Sequence, residues 1–393
     1  MQKSYQKILD RALFKIKPKK SEEKHLANLS QKTLEITREK AKKHQAKAIL
    51  AGSITRGTWL PGKREFDIFI LFSPDLPENK LEEYGLLIGK EVIKQLKGKF
   101  SVEYAQHPYA SGLVEGVDID IVPCYEVESA EKIKSAVDRT PFHVRYIEKN
   151  LSLTLSDEVR LLKQFLTANK IYGADAKTQG FSGYVCELLV IRYGGFLEVL
   201  KDVTKWKPGG IIDLENYYKK EDYTQLRKNF KNHPLILIDP TDRNRNTTSP
   251  VSIENLFKFR KLAKEFLDKP SEKYFSERKL VSISTRELNQ KLSQRKTELI
   301  LVKFTPPKVV PDILWPQLRR FAERLQEILE ETKYEFKVLR RDVYSNEKDL
   351  AIVLLEMEVN RLPHIQKRTG PSVFDFNDSQ RFLEKYKNPL VGP

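Results

Sequence analysis

Three acidic residues, Glu65, Asp67 and Asp120, carry the most definite chemistry in this sequence. In Glu65-Phe66-Asp67 the acids are two residues apart, so an extended strand projects both from one face. Phe66, Ile68, Ile70 and Phe72 continue that strand with a buried face, which would hold the acids rigidly. A second alternating segment, Val117-Asp118-Ile119-Asp120-Ile121-Val122, puts Asp118 and Asp120 side by side. Carboxylates on adjacent strands repel one another unless a cation sits between them, and oxygen-seeking Mg²⁺ suits that place. Gly52-Ser53 follows the apolar Ala48-Ile49-Leu50-Ala51 and is expected to open a helix, whose free N–H groups and hydroxyl favour a phosphate. A lone Glu-x-Asp is most often the solvated side of an edge strand, and a lone Gly-Ser is usually a turn. Their joint occurrence describes a metal–triphosphate site with the two-metal layout of in-line nucleotidyl transfer.

Gly52-Ser53, then Arg56-Gly57-Thr58-Trp59, then Glu65-Phe66-Asp67, resembles the active-site signature of the polymerase-β-type nucleotidyltransferases, specifically the class I (archaeal-type) CCA-adding enzymes. The likeness continues in order through Tyr104-Ala105-Gln106-His107-Pro108-Tyr109, Asp120 to Tyr125, and Arg139-Thr140-Pro141-Phe142-His143. It runs on through Gly180-Phe181-Ser182-Gly183-Tyr184, Cys186-Glu187-Leu188-Leu189, and Asp239-Pro240-Thr241-Asp242 with Arg245-Asn246, and a weaker echo stands at Gly370-Pro371. The resemblance implies a template-independent enzyme that restores CCA at tRNA 3′ ends from CTP and ATP, acting as a homodimer. It assigns Glu65, Asp67 and Asp120 to Mg²⁺ and catalysis. Ser53, Arg56, Lys163 and Tyr172 are assigned to the triphosphate, with His143 close to it. Arg245, held by Asp242 or its neighbours, is given to the base edge, and Tyr104 and His107 to RNA. Family members extend beyond Leu390-Val391-Gly392-Pro393, where this sequence ends. A poly(A) polymerase or oligoadenylate synthetase shares the Gly-Ser and the acid pair, and a catalytically dead RNA-binding relative would keep the basic surface but lose carboxylates.

The elements that position these residues are legible in outline. With 393 residues, 40% of them hydrophobic, the chain can bury several cores. A formal net charge of +16 points to a polyanionic partner, because clustered Lys and Arg release counterions from a phosphate backbone. The two cysteines, Cys124 and Cys186, sit in apolar contexts and read as buried thiols rather than disulfide or zinc ligands. No apolar run is long enough to span a bilayer and no signal peptide is evident, so a cytoplasmic, membrane-free protein is expected.

The expected class is α+β in three parts. Residues 1–145 form a polymerase-β-like nucleotidyltransferase head, with two N-terminal helices, strands near 47–51, 66–72, 100–104 and 117–122, and a helix near 81–96 packed on a mixed sheet. Residues 146–268 form a helical central domain binding nucleotide, with helices at Asp157–Asn169 and, unbroken, at Gly183–Leu200, and a short strand at 234–239 before a polar turn. Residues 269–393 form an α+β RNA-binding region, with a strand at 297–304, an amphipathic helix at 315–332 and a strand pair joined by Asn346-Glu347-Lys348. Arg319, Arg320, Arg324, Arg340, Arg341, Lys367 and Arg368 would make a basic surface there, suited to a folded RNA read by shape and phosphates.

Overall fold

The computed structural model describes residues 2–104, 106–277, 281–331, 335–365 and 367–387, so Ala105 and the C-terminal Leu390–Pro393 lie outside the described residues. The chain divides into two compact units, Met1–Lys279 and Leu280–Pro393. The first unit runs α1 (Gln2–Ile16), α2 (Lys20–Lys42), β1 (Lys47–Ala51), β2 (Glu65–Phe72), α3 (Glu78–Gln95), β3 (Lys99–Tyr104), β4 (Pro108–Val114) and β5 (Val117–Tyr125). It continues with α4 (Thr140–Asn150), α5 (Leu153–Ala168), α6 (Gly183–Tyr193), α7 (Phe196–Val203), β6 (Gly210–Ile212), α8 (Tyr223–Asn229), β7 (Leu235–Asp239), β8 (Asp242–Asn246) and α9 (Ile253–Asp268). The second unit contains α10 (Thr285–Arg295), β9 (Glu298–Phe304), α11 (Pro311–Glu330), β10 (Lys337–Ser345), β11 (Ala351–Val359) and α12 (Phe376–Lys385).

Five strands form the sheet of the head in the order β1-β2-β5-β4-β3. Only β2 and β5 pair in parallel; the other neighbours are antiparallel. On β2 the alternation is strict. Phe66, Ile68, Ile70 and Phe72 enter the core under α2 and α3, while Phe69 and Leu71 pack on the opposite face with Val144 of α4. That second face also carries Glu65 and Asp67 at the strand's start, so one end of it is apolar and the other acidic. Sequence alternation does not find β4, because Ala110, Ser111 and Gly112 are small and offer no apolar stripe.

The helices after the sheet close around a second core built on Phe165, Phe181, Phe196, Phe259 and Phe266. Phe165 meets Phe196 and Phe266 edge-on, with ring centroids 5.6 and 5.9 Å apart. The first helix joins this core, not the sheet: Leu9, Ala12 and Ile16 are buried in it and the Tyr5 hydroxyl donates to the Leu267 carbonyl. The single helix expected over 183–200 is two, broken at Gly194, whose φ of 86° ends α6 in a left-handed turn. The polar turn expected after Asp239 is instead a hairpin whose second strand, β8, carries Arg245. Both cysteines are buried and unpaired, and burial pushes the Cys186 thiol up to about 12. No described helix is long and apolar enough to cross a membrane.

The second unit is a three-stranded sheet, β10-β11-β9, backed by α11 through Ala322 and the buried Val353, Leu355 and Met357. Helix α10, whose apolar residues are only Leu288 and Leu292, buries none of its residues.

Helix α3 lies flat on the sheet because two of its residues lack side chains. A Cβ on Gly85 would stand 2.6 Å from Pro123 Cγ, and one on Gly89 would stand 2.2 Å from Ala110 Cβ. Replacing Gly89 by Leu should therefore prise α3 from β4 and cost about 1–3 kcal/mol. Urea unfolding reads this directly, and an unchanged midpoint would show that α3 does not press on β4 in solution.

Candidate active site

The pairing of β2 with β5 assembles the carboxylates. In its register Glu65 stands opposite Asp118 and Asp67 opposite Asp120, one strand apart. With Gly52, Ser53 and Phe66 they line a cavity of about 310 Å³. Burial, then the charges of Asp120 and Glu65, push the Asp67 carboxyl up to about 7, although the Arg56 charge pulls the other way. Burial and the charges of Asp118, Glu103 and Glu65 also raise Asp120, against the Ser111 hydroxyl bonded to it. Such crowding of oxygen donors, which the Arg56 charge offsets only in part, is the electrostatic form of a divalent-cation site, and a hard cation fits the donor set. Glu65, Asp67 and Asp120, expected together from the sequence, are brought together here, with Asp118 beside them.

The helix expected to open at Ser53 does not form. Residues 52–57 make a tight turn instead, in which the Thr58 N–H donates to the Ser53 carbonyl at 3.0 Å and the Gly57 N–H to the Ile54 carbonyl at 3.3 Å. Gly57, at φ 60°, and Pro61 leave no room for a second helical turn. Gly52 itself has φ 88°, and a Cβ there would lie 3.1 Å from Asp67 Oδ2, so only glycine lets the turn approach the acids.

Arg56 and Lys163, expected at the triphosphate, converge on one residue outside the expected site set. Glu187 of α6 is fully buried; its Oε2 is 3.1 Å from Arg56 Nη2 and its Oε1 is 3.4 Å from Lys163 Nζ. The Thr58 hydroxyl donates to the same carboxylate at 2.6 Å, and Lys163 donates to Thr58 Oγ1 at 3.0 Å. Burial would raise Glu187, but Lys163, Arg56 and the Thr58 bond more than offset it, and its pKa is lowered. Lys163 is only 2% exposed. Tyr172 lies in the same place: a Cβ on Gly183 would fall 3.0 Å from its hydroxyl and 3.4 Å from Lys163 Nζ. A signal for Glu187 exists in the sequence, since an acid inside the apolar run Val185-Cys186-Glu187-Leu188-Leu189-Val190 must find a countercharge.

His143 and Arg245 share another buried acid, Asp239, at the end of β7. Its Oδ2 lies 2.8 Å from His143 Nε2 and 2.7 Å from Arg245 Nη1. Its Oδ1 accepts from the Tyr184 hydroxyl at 3.1 Å and from the N–H and hydroxyl of Thr241 at 2.9 and 2.8 Å. Burial alone would raise Asp239, but the bond and charge of His143, the Thr241 N–H and Arg245 hold it well below the usual carboxylate range. A carboxylate can only accept, so His143 carries its proton on Nε2. The His143 ring also stacks on Tyr184, with centroids 4.1 Å apart. Arg245 is thus held by Asp239 and not by Asp242, which pairs with Arg139 at 3.1 Å.

Tyr104 and His107 fare differently. Tyr104 is 75% exposed at the end of β3, whereas His107 is buried, its Nδ1 3.4 Å from both Glu78 and Glu82 of α3. The ligand atoms of these three residues lie within 4.8 Å of one another, a further carboxylate–histidine group with room for a cation. In the second unit Arg320 and Arg324 are exposed on α11, Arg324 in a 3.0 Å pair with Glu327, and Arg319 lies over the Trp315 ring.

Three family models match the chain in succession. Residues 30–143 match a nucleotidyltransferase domain, residues 157–276 the second domain of tRNA nucleotidyltransferase, and residues 295–393 the C-terminal domain of CCA-adding enzyme. Over 379 residues the chain is 38% identical to the CCA-adding enzyme of Methanoregula boonei, covering 96% of this chain and 79% of that one. It is 39% identical over 394 residues to the CCA-adding enzyme of Methanocaldococcus jannaschii, covering 98% and 85%. Among solved structures, the RNA terminal uridylyl transferase Cid1 superposes with a TM-score of 0.55 at 13% identity, covering 71% of this chain and all of that one, which speaks to the fold alone. Acids in register on paired strands, a nucleotidyltransferase fold around them, and identity of this extent along most of the relatives' length place the chain in the CCA-adding enzyme family of nucleotidyltransferases.

Proposed function

We propose that the protein adds C, C and A to the 3′ end of tRNA without a template, taking CTP and ATP and releasing pyrophosphate. The observation that carries this reading is the register of β2 on β5, which sets Asp67 beside Asp120 and Glu65 beside Asp118 in a cavity shared with Gly52 and Ser53. Glu65, Asp67 and Asp120 would hold Mg²⁺, and ions bound there would activate the primer 3′-hydroxyl and neutralise the departing pyrophosphate. Ser53, which lines the cavity, would offer its hydroxyl to the triphosphate, and Arg56 and Lys163, both paired with Glu187, would supply positive charge. Tyr172 and His143 would complete the triphosphate's surroundings, and Arg245 would meet the base. The extent of identity to CCA-adding enzymes favours this over poly(A) or oligoadenylate synthesis. The division into a head over 1–145, a nucleotide-binding helical part over 146–268 and a tRNA-binding part over 269–393 belongs to the same proposal, as do a cytoplasmic setting and a homodimer. Tyr104 and His107 are proposed to act on the RNA from the head, and Arg319, Arg320 and Arg324 from α11.

Incubation with tRNA lacking CCA, each labelled nucleotide and Mg²⁺ tests the reading. Asp67→Ala or Asp120→Ala should abolish nucleotide addition and leave tRNA affinity largely intact, and full activity in either variant would overturn the assignment of the acids. Reversing the charge of Arg319, Arg320 and Arg324 together should weaken tRNA binding and flatten its salt dependence, because fewer counterions are released. An unchanged salt slope would mark α11 as solvated surface. Glu187→Gln leaves Arg56 and Lys163 buried without a countercharge and should cost about 3–5 kcal/mol. Because the folded-state pKa of Glu187 is lowered, its stabilisation is present above the ordinary glutamate range and lost as pH falls through the lowered value. A wild-type urea midpoint for Glu187→Gln at neutral pH would contradict this.

A further inference from the structure

We propose that Asp239 is the positioning residue for base selection: it locks the Arg245 fork in the one orientation that distinguishes C and A from U and G. The proposal rests on the reading that Arg245 meets the base edge. It arises from an asymmetry within one ion pair. Asp239 is fully buried, while the Arg245 side chain is 35% exposed. Nη1 is committed to Asp239 Oδ2 at 2.7 Å, and the other guanidinium nitrogens make no hydrogen bond among the described residues. The fork is therefore anchored by one arm and open on the other.

The anchor is itself immobile. Oδ1 of Asp239 takes three donors, from Tyr184 and twice from Thr241, and Oδ2 takes His143 besides Arg245. Five donors converging on two oxygens leave the carboxylate no alternative rotamer that keeps them satisfied. Thr241 stands in the tight connection between β7 and β8, so the strand that bears Arg245 and the acid that holds it belong to one hairpin.

Rigidity matters because of the chemistry of the bases. Cytosine and adenine present an acceptor ring nitrogen beside an exocyclic amine, whereas uracil and guanine present a ring N–H beside a carbonyl. A guanidinium donor held opposite the ring nitrogen pairs with the first two and meets a donor in the others, leaving a desolvated N–H unpaired. A guanidinium free to swing about its four side-chain bonds would slide to the neighbouring carbonyl of uracil or guanine and bond there. Arginine alone is thus not selective. Arginine whose direction is fixed by a buried carboxylate is.

The test is the ratio of kcat/KM for CTP to that for UTP, and for ATP to GTP, on tRNA primers ending before C and before A. Such a ratio does not depend on the fraction of enzyme that is folded, so a merely structural defect leaves it unmoved. Arg245→Ala should lower it roughly tenfold or more. Asp239→Asn should lower it by a similar factor, chiefly by raising UTP and GTP use relative to the cognate nucleotides, and the double variant should fall no further than Arg245→Ala. Asp239→Glu, which keeps the charge but moves the acceptor by one methylene, should lose part of the ratio and decides the matter if Asp239→Asn does not fold. Wild-type ratios in the Asp239 variants beside a lost ratio in Arg245→Ala would overturn the proposal while sparing the role of Arg245. Multiplying effects in the double variant would also overturn it. Wild-type ratios in Arg245→Ala would remove the underlying reading and this proposal with it.

Discussion

A carboxylate taken wholly out of water must be matched by positive charge, and the architecture of the first unit depends on how Glu187 meets that demand. Its partners come from two distant places. Arg56 and Thr58 belong to the turn that follows β1, and Lys163 to helix α5. The turn is bound further by Ser156, whose hydroxyl donates to the Arg56 carbonyl at 2.8 Å, and by Arg160, which donates to the Trp59 carbonyl at 3.2 Å. A surface turn containing two glycines with positive φ would ordinarily be mobile; here it is clamped to two helices, and β1 and β2 are fixed with it.

Arg56 acts in two directions from this position. It neutralises part of Glu187 and lowers the Asp67 carboxyl, so it couples a satisfied charge cluster to an unsatisfied one. The acids of β2 and β5 are short of positive charge, whereas the Glu187 cluster sets two cations against one carboxylate and keeps a net positive remainder. Polar groups poised this way resist collapse onto one another, because each is already held by packing or by a strand. The apolar half of the same β2 face, Phe69 and Leu71 against Val144, supplies that stiffness.

Alternation and acid spacing made β1, β2, β5 and the carboxylate pairing legible, since a period of two leaves little freedom in which face an acid takes. What escaped the sequence shares a cause: contacts between residues far apart along the chain. Glu187 appears as one acid inside an apolar run and Asp239 as one at the end of another, and only the fold reveals that their partners lie 24 to 131 positions away for Glu187 and as many as 96 away for Asp239. Asp242 is nearer to Arg245 in sequence than Asp239 is, yet the hairpin turns Asp242 toward Arg139. Strand β4 was hidden by small residues whose value is the clearance they give Gly89 of α3, a property of the neighbour and not of the segment itself. The break at Gly194 was readable in principle, because two consecutive glycines in a helical pattern favour a left-handed stop.

The placement of α1 has a consequence for biosynthesis. This helix is made before the segments it packs on: its apolar face of Leu9, Ala12 and Ile16 lies among α5 and its neighbours, and Tyr5 bonds to a carbonyl 262 residues later. At ordinary translation speeds that separation corresponds to a delay on the order of tens of seconds. During it the sheet and α2 can close on local contacts while α1 waits with an uncovered amphipathic stripe. The apolar stripe of α1 therefore stays uncovered on the nascent chain until the helices that bury it, α5 among them, have been made.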